Sequence, residues 1–306
     1  MNQNHLQRTI DKEARCSGVG VHSGKQVNLT VKPAPINHGI KFMRVDLPNH
    51  PYVSARFNKV VDTSLATVIG EDGFIISTIE HLMSALAGLG IDNAMVEVDN
   101  YELPIMDGSA LPYVTMLKSA GIQTQSAPRH FFVVQEPVEL EEKGKFVGVY
   151  PAPYFRITCT IEYSHCPLIR TQTQDQIITA GVFEKQIAPA RTFGFLQEVE
   201  TMKKFGLGQG GSLDNAVVID QDKVLNPNGL RFNDEFVRHK MLDCIGDFSL
   251  IGLPIMGHVV ARCSGHAFNH AFLERFFLRK GAWQTRTLEQ GDPWPATALK
   301  QQLANR

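Results

Sequence analysis

The sequence predicts an α+β chain built as two domains, and three observations carry that expectation. At 306 residues the chain exceeds the usual span of one domain. Its hydrophobic pattern switches between a period of two and a helical period inside each half. Between the halves lies a short polar stretch, GIQTQSAPR at 121–129, after which the pattern restarts. The expected division is 1–124 and 129–290, followed by a polar tail over 291–306.

Taken in order, residues 6–47 read as strands. Gly18, Gly20 and Gly24 punctuate short runs, and 27–31 alternates apolar with polar residues. The period changes over 74–90, where Ser77 followed by Glu80 marks a helix start and Gly88 a stop. A strand is expected at 94–98 and a helix near 110–120. Residues 121–129 are read as the domain linker. Beyond them, strands are expected near 131–140, 146–150 and 155–162, then a helix near 179–188. Four glycines between 206 and 211 precede a strand at 216–220. They lack the Lys-Ser/Thr ending of a phosphate loop and are read as a turn. A long helix at 233–249, a strand at 255–263 and a helix at 267–280 complete the pattern. The two halves thus read as similar α+β units, without a repeat strong enough to prove duplication.

Composition excludes several classes. The formal net charge is −1, and no run of Lys or Arg points to nucleic acid. No stretch of about 18 apolar residues predicts a membrane span. The first 18 residues lack the apolar region of a secretory signal. Five scattered cysteines without a Cys-x-x-Cys pair argue against both a disulfide framework and a thiolate zinc site. A reducing cytosol is the expected compartment.

One constellation carries chemistry. His239 and Asp243 lie four apart, so on a helix they share a face about 6 Å apart along the axis. Imidazole and carboxylate both suit zinc. The spacing alone is weak, because roughly one His-x-x-x-acid pair arises by chance in such a composition. Asp247 extends the same face by a turn, and Glu80-His81 sits on the predicted helix of the other half. A catalytic zinc takes three protein ligands, leaves a position for water and has a carboxylate nearby. The series His266, His270 and Glu274 has equally good spacing, and periodicity does not choose between the two clusters.

Four ordered motifs extend the reading. They are Ser77-Thr78-Ile79-Glu80-His81-Leu82, then Ala190-Arg191-Thr192-Phe193-Gly194-Phe195, then 236–243 with Gly246-Asp247, then Ser264-Gly265-His266-Ala267. Together with Gln7-Arg8-Thr9-Ile10 and 17–25 they make the chain resemble the UDP-3-O-acyl-N-acetylglucosamine deacetylase family of lipid A biosynthesis. The resemblance implies two α+β domains, each a sheet layered on helices, with the active site between them. It implies one zinc per chain on His81, His239 and Asp243, with iron as a substitute. By the same resemblance Glu80 is the general base, Thr192 an oxyanion donor, His266 a proton donor and Asp247 its orienting partner. Lys240, Phe193 and Tyr163 fall at substrate-contacting positions, Tyr163 against uracil. The segment 195–224 resembles the family's acyl-chain insert, for which Phe195, Leu196, Val199, Ser212 and Val218 are candidate lining. The implied substrate is an acylated UDP-N-acetylglucosamine and the expected state a monomer, with no nucleic acid and no stable membrane insertion.

Three features depart from the family pattern, one of them His270 at a position where relatives carry asparagine. Cys263 stands where a lysine is usual, with Arg262 one step earlier, on the opposite face of an alternating strand. No cysteine occurs in 62–68, where some relatives carry one. On the residues alone, a zinc hydrolase of another amide and a non-catalytic nucleotide-sugar binder remain alternatives. Glu80, Thr192 and His266 argue against the second, since binding does not require them.

Overall fold

The computed structural model describes residues 5–288, so the tail expected over 291–306 lies outside the described residues. The strands of the first half build a five-stranded sheet. Its order is Ala14–Val19, Gln26–Pro33, Ala94–Val98, Ile40–Arg44 and Tyr52–Ser54. Alternation explains the two faces of this layer. Val27, Leu29 and Val31 are buried while Gln26 and Asn28 face outward. Ala94–Val98 runs antiparallel to Gln26–Pro33 and parallel to Ile40–Arg44.

Helix α1 (Glu80–Leu89) carries apolar residues around most of its circumference, and it is correspondingly buried on nearly every side. It ends at Gly90, which adopts the left-handed conformation (φ 71°) and donates its N–H to the carbonyls of Leu86 and Ala87. Helix α2 (Leu111–Ser119) packs on α1 and on Ala14–Val19.

The second half builds a seven-stranded sheet around Ile255–Arg262. That strand pairs antiparallel with Lys145–Tyr150 and parallel with Phe155–Tyr163. Its first residues pair parallel with His130–Val134, whose other edge carries Trp283–Thr287. Helix α3 (Ala180–Val182) runs into a π-helical turn at Phe183–Ile187, and helix α4 (Leu196–Lys204) opens the 195–224 insert. Helices α5 (Glu235–Ser249) and α6 (His266–Leu278) pack against this half.

What positions the site is the close approach of α1 to α5. A Cβ added to Gly246 on α5 would lie 2.2 Å from the backbone oxygen of Glu80. A Cβ added to Gly88 on α1 would lie 2.3 Å from the Phe183 ring. Each glycine therefore lets a neighbouring element come closer than any side chain would permit. One apolar core includes residues of both halves, from Ile10 to Phe276.

Several elements differ from the expectation. The stretch read as the domain linker contains a strand that was not expected, Ile122–Pro128, paired antiparallel with Leu6–Ile10. Its polar residues do structural work: the Asn93 amide donates to Gln125 (2.7 Å) and Gln7 (2.9 Å), and the Gln125 amide donates to the Ala34 carbonyl. The α1 helix starts at Glu80, not Ser77, and no side chain caps it. Residues 131–140 form two strands, and 179–188 is mostly a π turn. The strand Arg170–Ile177 had no apolar alternation to announce it. Its outward residues are exposed or half-buried polar groups, paired along Phe155–Tyr163.

Candidate active site

The first turn of α1 and the middle of α5 bring His81, His239 and Asp243 together. Their candidate ligand atoms lie within 4.8 Å of one another, and all three residues are buried. Asp243 Oδ1 is 3.3 Å from His239 Nε2 and 3.7 Å from His81 Nε2. The His239 ring is fixed through its other nitrogen: Nδ1 donates to the Ala190 carbonyl at 3.1 Å, which leaves Nε2 as a free lone pair. The two imidazoles meet edge to face at 5.0 Å.

The charges suit a cation. Burial, reinforced by His239, pushes His81 down to about 3, so its imidazole is neutral. His239 is likewise lowered by burial. Burial alone would raise Asp243, but His239 and Lys240 outweigh it and hold the carboxyl well below its usual range. Lys240 Nζ donates to Asp243 Oδ2 at 2.9 Å. Two neutral imidazoles and one carboxylate within coordinating reach form a donor set that fits zinc.

Beside this group lies a proton-handling cluster. Glu80 is buried, and desolvation raises its carboxyl to about 7 despite the opposing pull of His266. Its Oε1 is 3.8 Å from His266 Nε2. His266 Nδ1 is 2.9 Å from Asp247 Oδ2. Burial would lower His266, but Asp247, with Glu80 and Asp243, raises it to about 10. Asp247 also accepts from Asn269 Nδ2 at 2.8 Å and from Thr67 Oγ1 at 2.6 Å.

Thr67 and Asn269 are the residues that sequence reasoning missed. Thr67 joins the two carboxylates, since its backbone N–H donates to Glu80 Oε2 at 3.1 Å. It lies in a buried stretch just before Val68–Glu71, and nothing in its spacing announces it. Asn269 sits three residues beyond His266 on α6, so helical periodicity could have found it.

The rival series does not converge. His270 Nε2 bonds to the Phe57 carbonyl at 2.9 Å, away from Asp247. Among the described residues, His81, His239 and Asp243 are the only such group of three or more. Arg262 pairs with Glu141 at 3.0 Å and lies over the Phe146 ring, on the outward side of its strand.

The second motif flanks the metal group. Arg191 makes a bidentate pair with Glu235 at 2.8 and 3.1 Å, buried at both ends. This anchors Thr192, whose N–H donates to the Gly108 carbonyl at 2.7 Å. Phe193 follows, with its ring 6.4 Å from that of His239 and under Lys240 Nζ at 5.6 Å. Tyr163 stands 5.9 Å from Phe193 and 5.8 Å from Phe195. Leu196 and Val199 are half-buried on α4, and Val218 is buried in Val217–Asp220, paired with Gly194. Ser212 is exposed in a turn, where its hydroxyl accepts from the Asp214 N–H. Its hydrogen bonds among the described residues do not reach the metal group.

The chain is similar in sequence to known proteins. The family model described as LpxC, UDP-3-O-acyl N-acetylglycosamine deacetylase, matches residues 7–278. A protein of Myxococcus xanthus named UDP-3-O-acyl-N-acetylglucosamine deacetylase is 51% identical over 269 residues, covering 88% of this chain and 85% of the relative. Proteins of the same name from Syntrophus aciditrophicus and Idiomarina loihiensis are 45% and 46% identical. They cover 92% and 93% of this chain, and 89% and 94% of their own lengths. The chain belongs to the UDP-3-O-acyl-N-acetylglucosamine deacetylase family.

Proposed function

We propose that this chain removes the N-acetyl group of UDP-3-O-(3-hydroxyacyl)-N-acetylglucosamine in lipid A biosynthesis, with zinc on His81, His239 and Asp243. The observation that carries the reading is the buried His-His-Asp group with Glu80 and His266 beside it. Zinc bound there would supply a Lewis acid that lowers the pKa of water, as amide hydrolysis at neutral pH requires.

The chain's own residues divide the proton work. Glu80, raised to about 7, is half ionised near neutrality and accepts the proton of the attacking water at a carboxylate oxygen. His266, held protonated by Asp247, donates from Nε2 to the departing amine. Its ring faces Glu80 across 3.8 Å, which supports a shared reacting centre. The Thr192 hydroxyl donates to the developing oxyanion, and Lys240 adds a positive charge on the same side. Asp247 is not available as the base, because it is already committed to His266, Asn269 and Thr67.

For substrate, Tyr163 and Phe193 offer aromatic faces to the nucleotide and sugar. Phe195, Leu196, Val199 and Val218 offer apolar surface to the acyl chain, and Ser212 a rim hydroxyl. Each buried methylene contributes up to about 0.8 kcal/mol before ordering costs. We place one domain at 1–124 and the second at 129–290, the reaction centre between them and the reaction in the cytoplasm. No helix among the described residues is long and apolar enough to cross a membrane.

The test is a deacetylation assay with acylated UDP-N-acetylglucosamine of graded chain length. Glu80→Ala is expected to keep its metal and lose activity by about 10²-fold or more. An unchanged rate would remove Glu80 from the chemistry.

A further inference from the structure

The same two helices also wall a space whose lining includes none of the metal or proton-cluster residues. A cavity of about 440 Å³ lies against the later turns of α1 and α5. That volume falls in the range of small-molecule sites. Its apolar wall includes Met83 and Leu86 from α1, Ile245 and Phe248 from α5, and Ile178 and Ile255. Ala87, Pro153 and Ala180, all exposed, lie among its lining residues, so the cavity reaches solvent.

The charged lining is unbalanced. Arg8, Arg56 and Arg129 face a single acid, Asp92. Asp92 is largely used up: one oxygen accepts from Arg129 Nε at 2.6 Å and the other from the Arg8 backbone N–H at 2.9 Å. The guanidinium groups of Arg8 and Arg129 converge, since Nη1 of each lies within 3.3 Å of the point where a Gly90 Cβ would stand. Each lies near enough to the other that Arg129 helps burial lower Arg8. Arg56, also on the lining, donates Nη1 to the Ile251 carbonyl at 3.2 Å and has no carboxylate partner among the described residues. Gly252 makes room for it, as a Cβ there would overlap Nη1. With Arg129 paired to Asp92, one acid is left to serve three guanidinium groups, and half-buried Arg56 has none; an anion would relieve that cost.

We propose that this cavity is a binding site for a straight-chain amphiphile with one anionic head, of the fatty-acid class. The arginines take the head, and the α1–α5 wall takes the chain. A nucleotide fits poorly, because most of the wall is apolar. A guanidinium–carboxylate pair supplies the strong, directional contact that a wholly apolar ligand lacks. Arg8, part of the opening Gln7-Arg8-Thr9-Ile10 run, has no place in the deacetylation chemistry and finds one here. The proposal is independent of the deacetylase reading, as it uses none of its residues.

Titration calorimetry of the zinc-loaded protein with decanoate, and with decanol as the neutral probe, tests it. Native protein is expected to bind decanoate saturably and at least tenfold more tightly than decanol. Arg56→Gln is expected to weaken decanoate at least tenfold. Ala87→Trp, at an exposed helical position that the fold tolerates, fills the mouth and is expected to abolish the event. Both variants should retain native kcat and KM for deacetylation when decanoate is absent. No saturable binding by native protein, equal affinity for the two probes, or an isotherm unchanged in both variants would overturn the proposal. Decanoate that inhibits turnover while both variants keep the native isotherm would assign it to the acyl passage instead.

Discussion

Asp247 accepts hydrogen bonds from three side chains, Thr67, His266 and Asn269, and so serves as the fixed point of the proton cluster. Thr67 Oγ1 has one hydrogen and gives it to Asp247, so its 3.3 Å contact with His266 Nδ1 is one in which the hydroxyl oxygen accepts. The charge of Asp247 favours the imidazolium. The consequence is a pH dependence with a defined sign. His266 is raised to about 10, chiefly by Asp247 against the opposing effect of burial, so its proton is lost only as pH rises through that value. The stability it contributes is likewise complete below the ordinary imidazole range and fades toward pH 10. Activity that needs the protonated form should fall on an alkaline limb. Asp247→Asn removes the charge that raises His266, so the limb should move to lower pH in a pH–kcat profile, with kcat reduced. A limb that stays in place would detach Asp247 from His266.

At the scale of elements, the site depends on two helices meeting at a glycine. Gly246 is one turn beyond Asp243 on α5, and its Cα faces the Glu80 backbone. Alanine normally favours a helix interior over glycine by about 1 kcal/mol. Here the added Cβ would lie 2.2 Å from Glu80 O, so overpacking wins, at about 1–3 kcal/mol. Gly246→Ala should lower the urea midpoint and cut turnover, because the shift falls on the residue that precedes His81. Gly181→Ala, where nothing lies within 4 Å, is the control and should leave turnover unchanged without lowering the midpoint. Equal midpoints for the two variants would remove the close approach as the device that aligns α1 with α5. The sequence flagged Gly246 as a neighbour of Asp247 but gave no sign of what its missing side chain admits.

At the scale of the molecule, the two halves were legible to different depths. Helix α5 announced itself by length and by the His239–Asp243 spacing, and α1 by its apolar run. Their partnership was not legible from either alone, because the contact is set by a glycine and a backbone oxygen far apart in the chain. Motif order supplied what spacing could not, and the structure then separated His266 from His270 by their hydrogen-bond partners. The strand Ile122–Pro128 was not legible because it lacks apolar alternation: it pairs with Leu6–Ile10 through backbone, and Asn93 bridges Gln7 and Gln125. Thr67 stayed hidden because its backbone N–H does half its work, and a backbone donor leaves no mark in a sequence. The central claim joins the halves: His81 comes from one, His239 and Asp243 from the other. It is tested most directly by zinc content per chain in the purified protein and in His81→Ala and His239→Ala. The account predicts about one equivalent in the native chain and a large loss in each variant. Full zinc retained by either variant would contradict it.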